Sequence, residues 1–330
     1  MCFLKKMAAG AGTLLAALLS YVAGGAALAA DAYPSRPVRL VVPYPPGGSP
    51  DLVARGLAAA AAGELGVPIV VENRAGANGM VATDFVAHSA GDGYTLLLGS
   101  DGPIVITPLL KGESPLEPTL HLAPVTLVGD SSFVVLAPPG AQARTLGELI
   151  AFGREHPGKL TYGSSGVGSQ HHLAGLMLSN VGRMQMVHVP YKGFGEAVTD
   201  LAAARLDVLF GSVPAGAPLV TTGRLKALAV TGKSRSALLP DVATTAEQGY
   251  PQLAVSAWYG VMAPTTTPAT IVNRLDTAFR SALASGTLKA SLTGMGLEVL
   301  AADSQGFAAR IRKDRLRWAV VIKASGVKLE

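Results

Sequence analysis

Two segments of the chain share one design, in which a β-type stretch runs into a turn of glycine and hydroxyl residues and then into a helix start. The first is Arg39-Leu-Val-Val-Pro-Tyr-Pro-Pro-Gly-Gly-Ser-Pro-Asp51 and the second Leu160-Thr-Tyr-Gly-Ser-Ser-Gly-Val-Gly-Ser-Gln-His-His172. Residues of these types at this spacing can hold an anion without any basic side chain. Glycine lets backbone N–H groups point outward, and a helix N-terminus adds about half a positive charge. Two such turns in one chain suggest a two-sided grip on a small anion.

The same residues also invite a hydrolase reading, because Ser164, Ser165, His171, His172 and His188 cluster in sequence around the second turn. Gly163-Ser-Ser-Gly166 does not fit the G-x-S-x-G nucleophile elbow. On a helix His171 and His172 point about 100° apart, so they cannot chelate one metal as an i, i+4 pair can. No G-x-x-x-x-G-K-[ST] phosphate loop is present. The hydrolase stays a remote alternative, with no catalytic residue, cofactor or metal assigned.

The first residues indicate where the grip operates. Lys5 and Lys6 precede an apolar, small-residue run from Met7 to Ala30 that closes with Ala27-Leu-Ala29. A basic end, an apolar middle and a small-x-small exit describe a secretory signal peptide over residues 1–29. The alternative is an uncleaved anchor, since the run is long enough to span a bilayer. Cys2, the chain's single cysteine, lies before the run and would leave with it, which removes thiol and disulfide chemistry from the mature part. Losing two lysines lowers the formal charge from +5 to +3. So mild an excess gives no support for a nucleic acid partner, which calls for a clustered basic face.

Roughly 300 residues remain, enough for two domains. Runs read as strands are 38–42, 69–72, 94–98, 133–137, 186–189, 208–210, 227–230 and 255–262, alternating with amphipathic helices. Several runs are near-continuous Val, Leu and Ile, which suits strands covered on both faces and predicts an α/β fold with mostly parallel sheets. Helix ends are legible too. Ser169 reads as an N-cap with Gly182 as its C-cap, Thr267-Pro268 opens a helix running to Gly286, and Ser304 opens one ending at Gly326.

In order and spacing, YPSRPVRLVVPYPPGGSPDLVAR, VENRAGANGMVATDFVA, DGYTLLLGS, KLTYGSSGVGSQHHLAG, HVPYKG, LPDVATTAEQGY and AWYGVMAP resemble the periplasmic substrate-binding receptors of tripartite tricarboxylate transporters, the TctC or Bug-type proteins. The resemblance covers residues 33–330. It implies a type II periplasmic-binding-protein fold: two α/β domains joined by two crossing strands, with a ligand cleft between them. The implied first domain is discontinuous, residues 30–131 plus 255–330, and the second is residues 132–254. The implied function is capture of a small carboxylate, a di- or tricarboxylate or related organic acid, for delivery to a membrane permease by a monomeric receptor. A ligand sensor presenting its closed form to a signalling protein is the alternative.

Carried across residue by residue, the resemblance assigns Tyr44, Pro46, Gly47, Gly48 and Ser49 to the first ligand loop. Asp51 belongs to the same motif, although a carboxylate at a helix start caps backbone N–H groups more readily than it touches an anion. Ser164, Ser165, Gly166, Gly168, Ser169 and His171 match the facing loop. Ser100 and Asp101 follow one strand and Tyr191, Lys192 and Gly193 another, at the strand ends where open α/β sheets place ligands. Lys192 is the candidate for a formal positive charge near the ligand, against the alternative of an exposed amine. Two departures stand out. Gly211-Ser212 replaces an acidic or amide pair that many relatives have, and Asp101 puts a carboxylate where they often have a small or neutral residue. Facing the cleft, Asp101 would repel a second ligand carboxylate. Arg310, Arg312, Lys313, Arg315 and Arg317 make the last helix basic, readable as a solvated face or as a docking surface.

Overall fold

Runs rich in valine and leucine, which suit a pleated and covered surface, become ten strands among the described residues of this computed structural model, which describes residues 33–112 and 118–327. The N-terminal apolar run, its cleavage pattern and Cys2 lie outside them. The chain divides into two units, Met1–Ser35 and Arg36–Glu330, and every element below belongs to the second. Among the described residues no helix is long and apolar enough to cross a membrane.

The strands are β1 (Val38–Val42), β2 (Ile69–Asn73), β3 (Thr95–Ser100), β4 (Leu122–Ala137), β5 (Leu160–Ser164), β6 (Met186–Pro190), β7 (Val208–Ser212), β8 (Lys226–Val230), β9 (Ser256–Pro264) and β10 (Leu297–Ala302). The longer helices are α1 (Ser49–Leu65), α2 (Met80–Ala87), α3 (Leu146–Glu155), α4 (Gln170–Gly182), α5 (Phe194–Ala202), α6 (Val213–Thr221), α7 (Ala269–Ala284), α8 (Gly286–Gly294) and α9 (Ser304–Ser325).

Strand β4 belongs to two sheets. Its first part pairs with β9 from Leu122↔Pro264 to Ser132↔Ser256 and with β10, in a sheet ordered β2-β1-β3-β9-β4. From Phe133 it pairs instead with β7 and β8, in a sheet continuing β4-β7-β5-β6. The passage between Ser132 and Phe133 is pinned by Thr231, which is 1% exposed. Thr231 N donates to Phe133 O at 2.8 Å, Phe133 N donates to Thr231 Oγ1 at 2.9 Å, and that hydroxyl donates to Val255 O. One side chain thus ties together β4, the end of β8 and the residue before β9.

Strand directions fix where ligand loops fall. β1 is parallel to β3, β3 is antiparallel to β9, and β9 is antiparallel to β4, so β1 and β3 run in the same direction as β4. β7 is antiparallel to β4, and β5 and β6 follow β7, so these three run against it. The C-terminal ends of β1 and β3 therefore face those of β5, β6 and β7 across the passage. Open α/β sheets bind ligands at such ends.

Several sequence-based expectations need correction. The sheets are mixed rather than mostly parallel, with five antiparallel pairings and four parallel ones. Parallel neighbours need a crossover connection, and β4 and β9 enter the middle of the sheets as long direct passages instead. The early part of β4 was hidden by Pro124, which sits at a register shift, and by polar Thr126, Asp130 and Ser131. Ser169 does cap α4, accepting from His172 N at 3.2 Å, but Arg183 rather than Gly182 takes the left-handed position after it. Gly182 is small for packing, since a Cβ there would meet Met184 and Ile150 side chains. The helix opened by Pro268 ends at Ala284, and Gly286 starts α8 under a Ser285 cap. Asp303, not Ser304, caps α9 by accepting from Gly306 N at 2.8 Å.

Helix α9 lies against β4 with Phe307 fully buried, edge-on to Trp258 at 5.0 Å between ring centroids. Gly260 on β9 makes room for that ring, for a Cβ there would stand 2.3 Å from Phe307 Cζ. Replacing Gly260 by alanine forces the buried ring or the strand to move. Gly260→Ala should lower unfolding free energy by about 1–3 kcal/mol, read by urea denaturation at unchanged m-value. Wild-type stability would show that the contact relaxes without cost.

Candidate functional site

The loop from β1 to α1 is shaped by Gly47, whose φ of +86° is the left-handed conformation that side chains other than glycine rarely adopt. Gly48 is the N-cap, at an ordinary φ of −80°. Asp51 turns back onto the loop. Its Oδ2 accepts from Gly47 N at 2.9 Å and from Arg55 Nε at 3.0 Å, and its Oδ1 accepts from Asn73 Nδ2 at 3.0 Å. Asn73 Nδ2 also donates to Tyr44 O at 3.1 Å. The hydrogen bond from Arg55, followed by those from Gly47 and Asn73, overcomes burial and holds the Asp51 carboxyl down at about 2. Asp51 thus holds the loop, the capping alternative of the sequence reading. The donors left at the helix start are Gly48 N, Ser49 N and Asp51 N, which find no acceptor among the described residues, while Pro50 has none to offer.

Beside this loop, Tyr44 Oη lies 2.8 Å from Ser100 Oγ at the end of β3. Burial pushes the Tyr44 phenol up to about 12. Asp101 is 1% exposed, and one of its oxygens accepts from Gln170 Nε2, the first residue of α4. Burial, reinforced by the carboxylates of Asp314 and Asp130 against the opposing charge of Arg310, raises its pKa well above the carboxylate range. Burial thus disfavours the ionised form of Asp101 that repulsion of a ligand carboxylate would need.

The loop after β5 is tied together more tightly still. Gly166 and Gly168 have φ of +108° and +77°. Ser164 Oγ, fully buried, lies 2.7 Å from His188 Nε2, accepts from Gly166 N at 3.1 Å and donates to Gly166 O at 3.0 Å. Gly168 N donates to His172 Nδ1 at 3.1 Å and Ser169 N to Gly166 O at 3.2 Å. The His172 and His188 rings stack at 3.9 Å, and Tyr162 stacks on His188 at 5.0 Å. Burial, then the neighbouring His188, lowers His172 to about 4, so the stack is neutral at neutral pH. The amides of Gly166, Gly168 and Ser169 are used inside the loop. Those of Gln170 and His171 at the start of α4 find no acceptor among the described residues.

His171 Nδ1 lies 2.8 Å from Ser165 Oγ, and its ring is flanked by Phe133 edge-on at 5.5 Å and by Phe194 at 6.0 Å. Burial lowers His171 to about 4, leaving a neutral imidazole. Tyr191 N donates to Ser164 O at 3.0 Å, but its phenol donates to Asp200 at 2.7 Å. Lys192 is exposed, its backbone N donating to Glu196 at 3.2 Å. Gly193 is the N-cap of α5, and Ser212 ends β7 opposite Phe133.

The structure therefore joins Tyr44, Ser100 and Asp101 into one buried polar group and meets it with Gln170 from the second sheet. Ser164, Gly166, Gly168 and Ser169 build the loop, and Ser165 and His171 form its aromatic-flanked face. Sequence reasoning missed Gln170, Asn73, Phe133, Phe194 and Tyr259, a buried phenol beside Tyr44 and Asp101. Gln170 directly after a capping serine was the one local signal available. The others are brought in by distant strands.

Comparison with known proteins matches residues 53–327 to the family model described as tripartite tricarboxylate transporter family receptor. Protein BugT of Bordetella pertussis is 37% identical over 306 residues, 92% of this chain and 94% of that protein. A Rhodopseudomonas palustris protein solved with adipate superposes with a TM-score of 0.79 at 31% identity, covering 90% of this chain and 99% of the other. MatC from the same organism, solved with bound malate, gives 0.74 at 31% identity over 88% of this chain and all of MatC.

Two buried carboxyls should respond to pH with opposite signs. Asp51 is depressed in the folded state, so its contribution is complete above the unfolded carboxylate range and is lost as pH falls toward 2. Asp51→Asn should cost about 1–2 kcal/mol at pH 7, allowing for solvent around its exposed Arg55 partner, and progressively less from pH 4 to 2. Asp101 is raised, so the folded state keeps a proton that the unfolded chain releases, and stability falls as pH rises. Asp101→Asn should raise the melting temperature at pH 7 and lose that gain by pH 3. Differences from wild type that do not vary with pH would contradict both assignments.

Proposed function

The chain belongs to the tripartite tricarboxylate transporter family of receptors, and from that membership we propose that it captures a small dicarboxylate between two α/β lobes and passes it to membrane subunits of such a transporter. Members of this family are periplasmic binding proteins. On this reading residues 1–29 are the export signal, residues 30–131 plus 255–330 form one lobe and 132–254 the other. The change of β4 partners between Ser132 and Phe133 supports that division. The receptor acts as a monomer and performs no chemistry on its ligand.

The observation that carries the proposal is the pair of opposed helix starts. Gly48 N and Ser49 N open α1, and Gln170 N and His171 N open α4, at strand ends that face each other. The Asp101–Gln170 contact brings the two sides together beside them. Carboxylate-receptor relatives solved with adipate and malate supply the ligand class. With the His171 imidazole neutral, ionisation of Asp101 disfavoured by burial and Lys192 exposed, each ligand carboxylate is met by amide dipoles and hydroxyls. Charge-assisted hydrogen bonds contribute about 1.5–3 kcal/mol each, and micromolar affinity needs about 8 kcal/mol. Two or three bonds at each end suffice after the ordering cost, which the internally bonded loops keep low.

A thermal-shift screen of the purified protein against mono-, di- and tricarboxylates tests this. A dicarboxylate at 100 times its Kd should add about 2.7 kcal/mol of stability. Gly48→Ala places its methyl no closer than 3.6 Å to any neighbouring atom at a permitted φ. It should leave the unliganded melting temperature unchanged and weaken binding about tenfold, a loss of about 1.4 kcal/mol. Absence of any carboxylate hit, or full affinity in Gly48→Ala, would refute the assignment.

A further inference from the structure

A cavity of about 500 Å³ is lined by none of the loop residues assigned to the carboxylate, although Asp130, Arg310 and Asp314 on its walls also act on Asp101. Its walls come from β4, the segment Thr231–Ala237 after β8, α8, β10 and α9. Six basic side chains reach it: Lys233, Arg235, Lys289, Arg310, Lys313 and Arg317, against the acids Asp130, Glu298 and Asp314. Charge pairing within this set is uneven. Arg310 takes both Asp130 and Asp314, at 2.8 and 2.7 Å, and Arg235 takes Glu247 at 3.1 Å. Lys233, Lys289, Lys313 and Arg317 make no ion pair among the described residues.

Arg317 is the most telling of these. It is half-buried, and its hydrogen-bond contact is Met177 Sδ at 3.7 Å, with the Trp318 ring 5.5 Å away. A thioether is a weak acceptor, so this half-buried guanidinium has no carboxylate hydrogen-bonded to its five donors among the described residues. Burial lowers its pKa, against the nearby charges of Asp314 and Asp101, which raise it. The hydroxyls of Ser132, Ser234 and Thr293 add donors to the same walls. The volume falls within the range of small-molecule pockets, ~300–1,000 Å³.

We propose that this cavity is a second binding site, specific for a small oxyanion carrying two or more negative charges, with Arg317 as its fork-shaped donor and Lys233, Lys289 and Lys313 closing around it. Arg guanidinium pairs bidentately with phosphate and carboxylate groups, and ammonium groups add point charges that tolerate several ligand orientations. The site takes its cations from both sides of the β4 passage: Lys233 follows β8, whereas Lys289, Lys313 and Arg317 stand on α8 and α9. Gly296 packs beside Pro214 and Leu238 at the same seam. An occupant would therefore tie the β8 side to the α8–α9 side.

Inorganic pyrophosphate is the probe. Isothermal titration of the purified protein, with sodium chloride adjusted to hold ionic strength constant, should give saturable binding of one equivalent. Lys233→Gln combined with Lys313→Gln removes two exposed charges and should preserve the melting temperature while weakening pyrophosphate at least tenfold. Arg317→Gln should weaken it further. Any carboxylate found in the thermal-shift screen should keep its wild-type affinity in the double variant, so failure of one site is separable from failure of the other. Absence of saturable binding by the wild type, full pyrophosphate affinity in the double variant, or competitive displacement of pyrophosphate by the carboxylate would each overturn the proposal.

Discussion

Everything in this molecule is arranged around one strand that two sheets must share. β4 runs for 16 residues, hydrogen-bonds with β9 and β10 in its first part and with β7 and β8 in its last, and is buried along most of its length. A backbone so buried has to pair every N–H and C=O, and β4 does so only by exchanging one set of partners for another between Ser132 and Phe133. That exchange determines which strand ends confront each other. The two glycine-rich loops are placed by backbone pairing at a distance, and Thr231 fixes the point of exchange with a side chain that serves three passages of chain at once.

The loops themselves are bound up mostly with their own atoms. Asp51, Arg55 and Asn73 hold the first, while Ser164, His188 and His172 hold the second. This internal bonding restricts each loop to one backbone course and leaves only the helix-start amides directed outward. It also gives residues that look chemically active a structural part: the serine and histidines of the second loop are partners of one another, with His171 and His172 both lowered to about 4 by burial. Acidification toward that range charges His172 within its stack on His188, so the second loop responds to low pH.

Helix α9 combines roles that its composition runs together. Arg310 is a half-buried ion-pair centre for Asp130 and Asp314, Arg317 lies half-buried against Met177, and Arg312 and Lys313 are exposed. Leu316 and Val320 are also exposed, one turn apart. A basic helix face in sequence is therefore several environments in space. Through Asp130, Arg310 and Asp314 it also sets the electrostatics around Asp101, so the helix most distant in sequence from the first loop influences the protonation of the site.

By itself the sequence determined the α/β class, most strands, the Ser169 cap, the Gly326 stop and the two glycine turns that lead into helices, because each is a local preference: apolar runs make strands, a serine before a helix accepts an amide, glycine takes positive φ. It could identify the family because several local motifs occur together in order. Sequence did not determine that the sheets are mixed, that Asp101 is buried and held by Gln170, or that Tyr191 turns to Asp200. Nor could it find Phe133, Phe194 and Tyr259 around the site. Those outcomes belong to tertiary structure, since a side chain's charge and direction depend on what distant strands bring against it, and burial changes the stable form of an acid or imidazole in ways that no neighbour in sequence can announce.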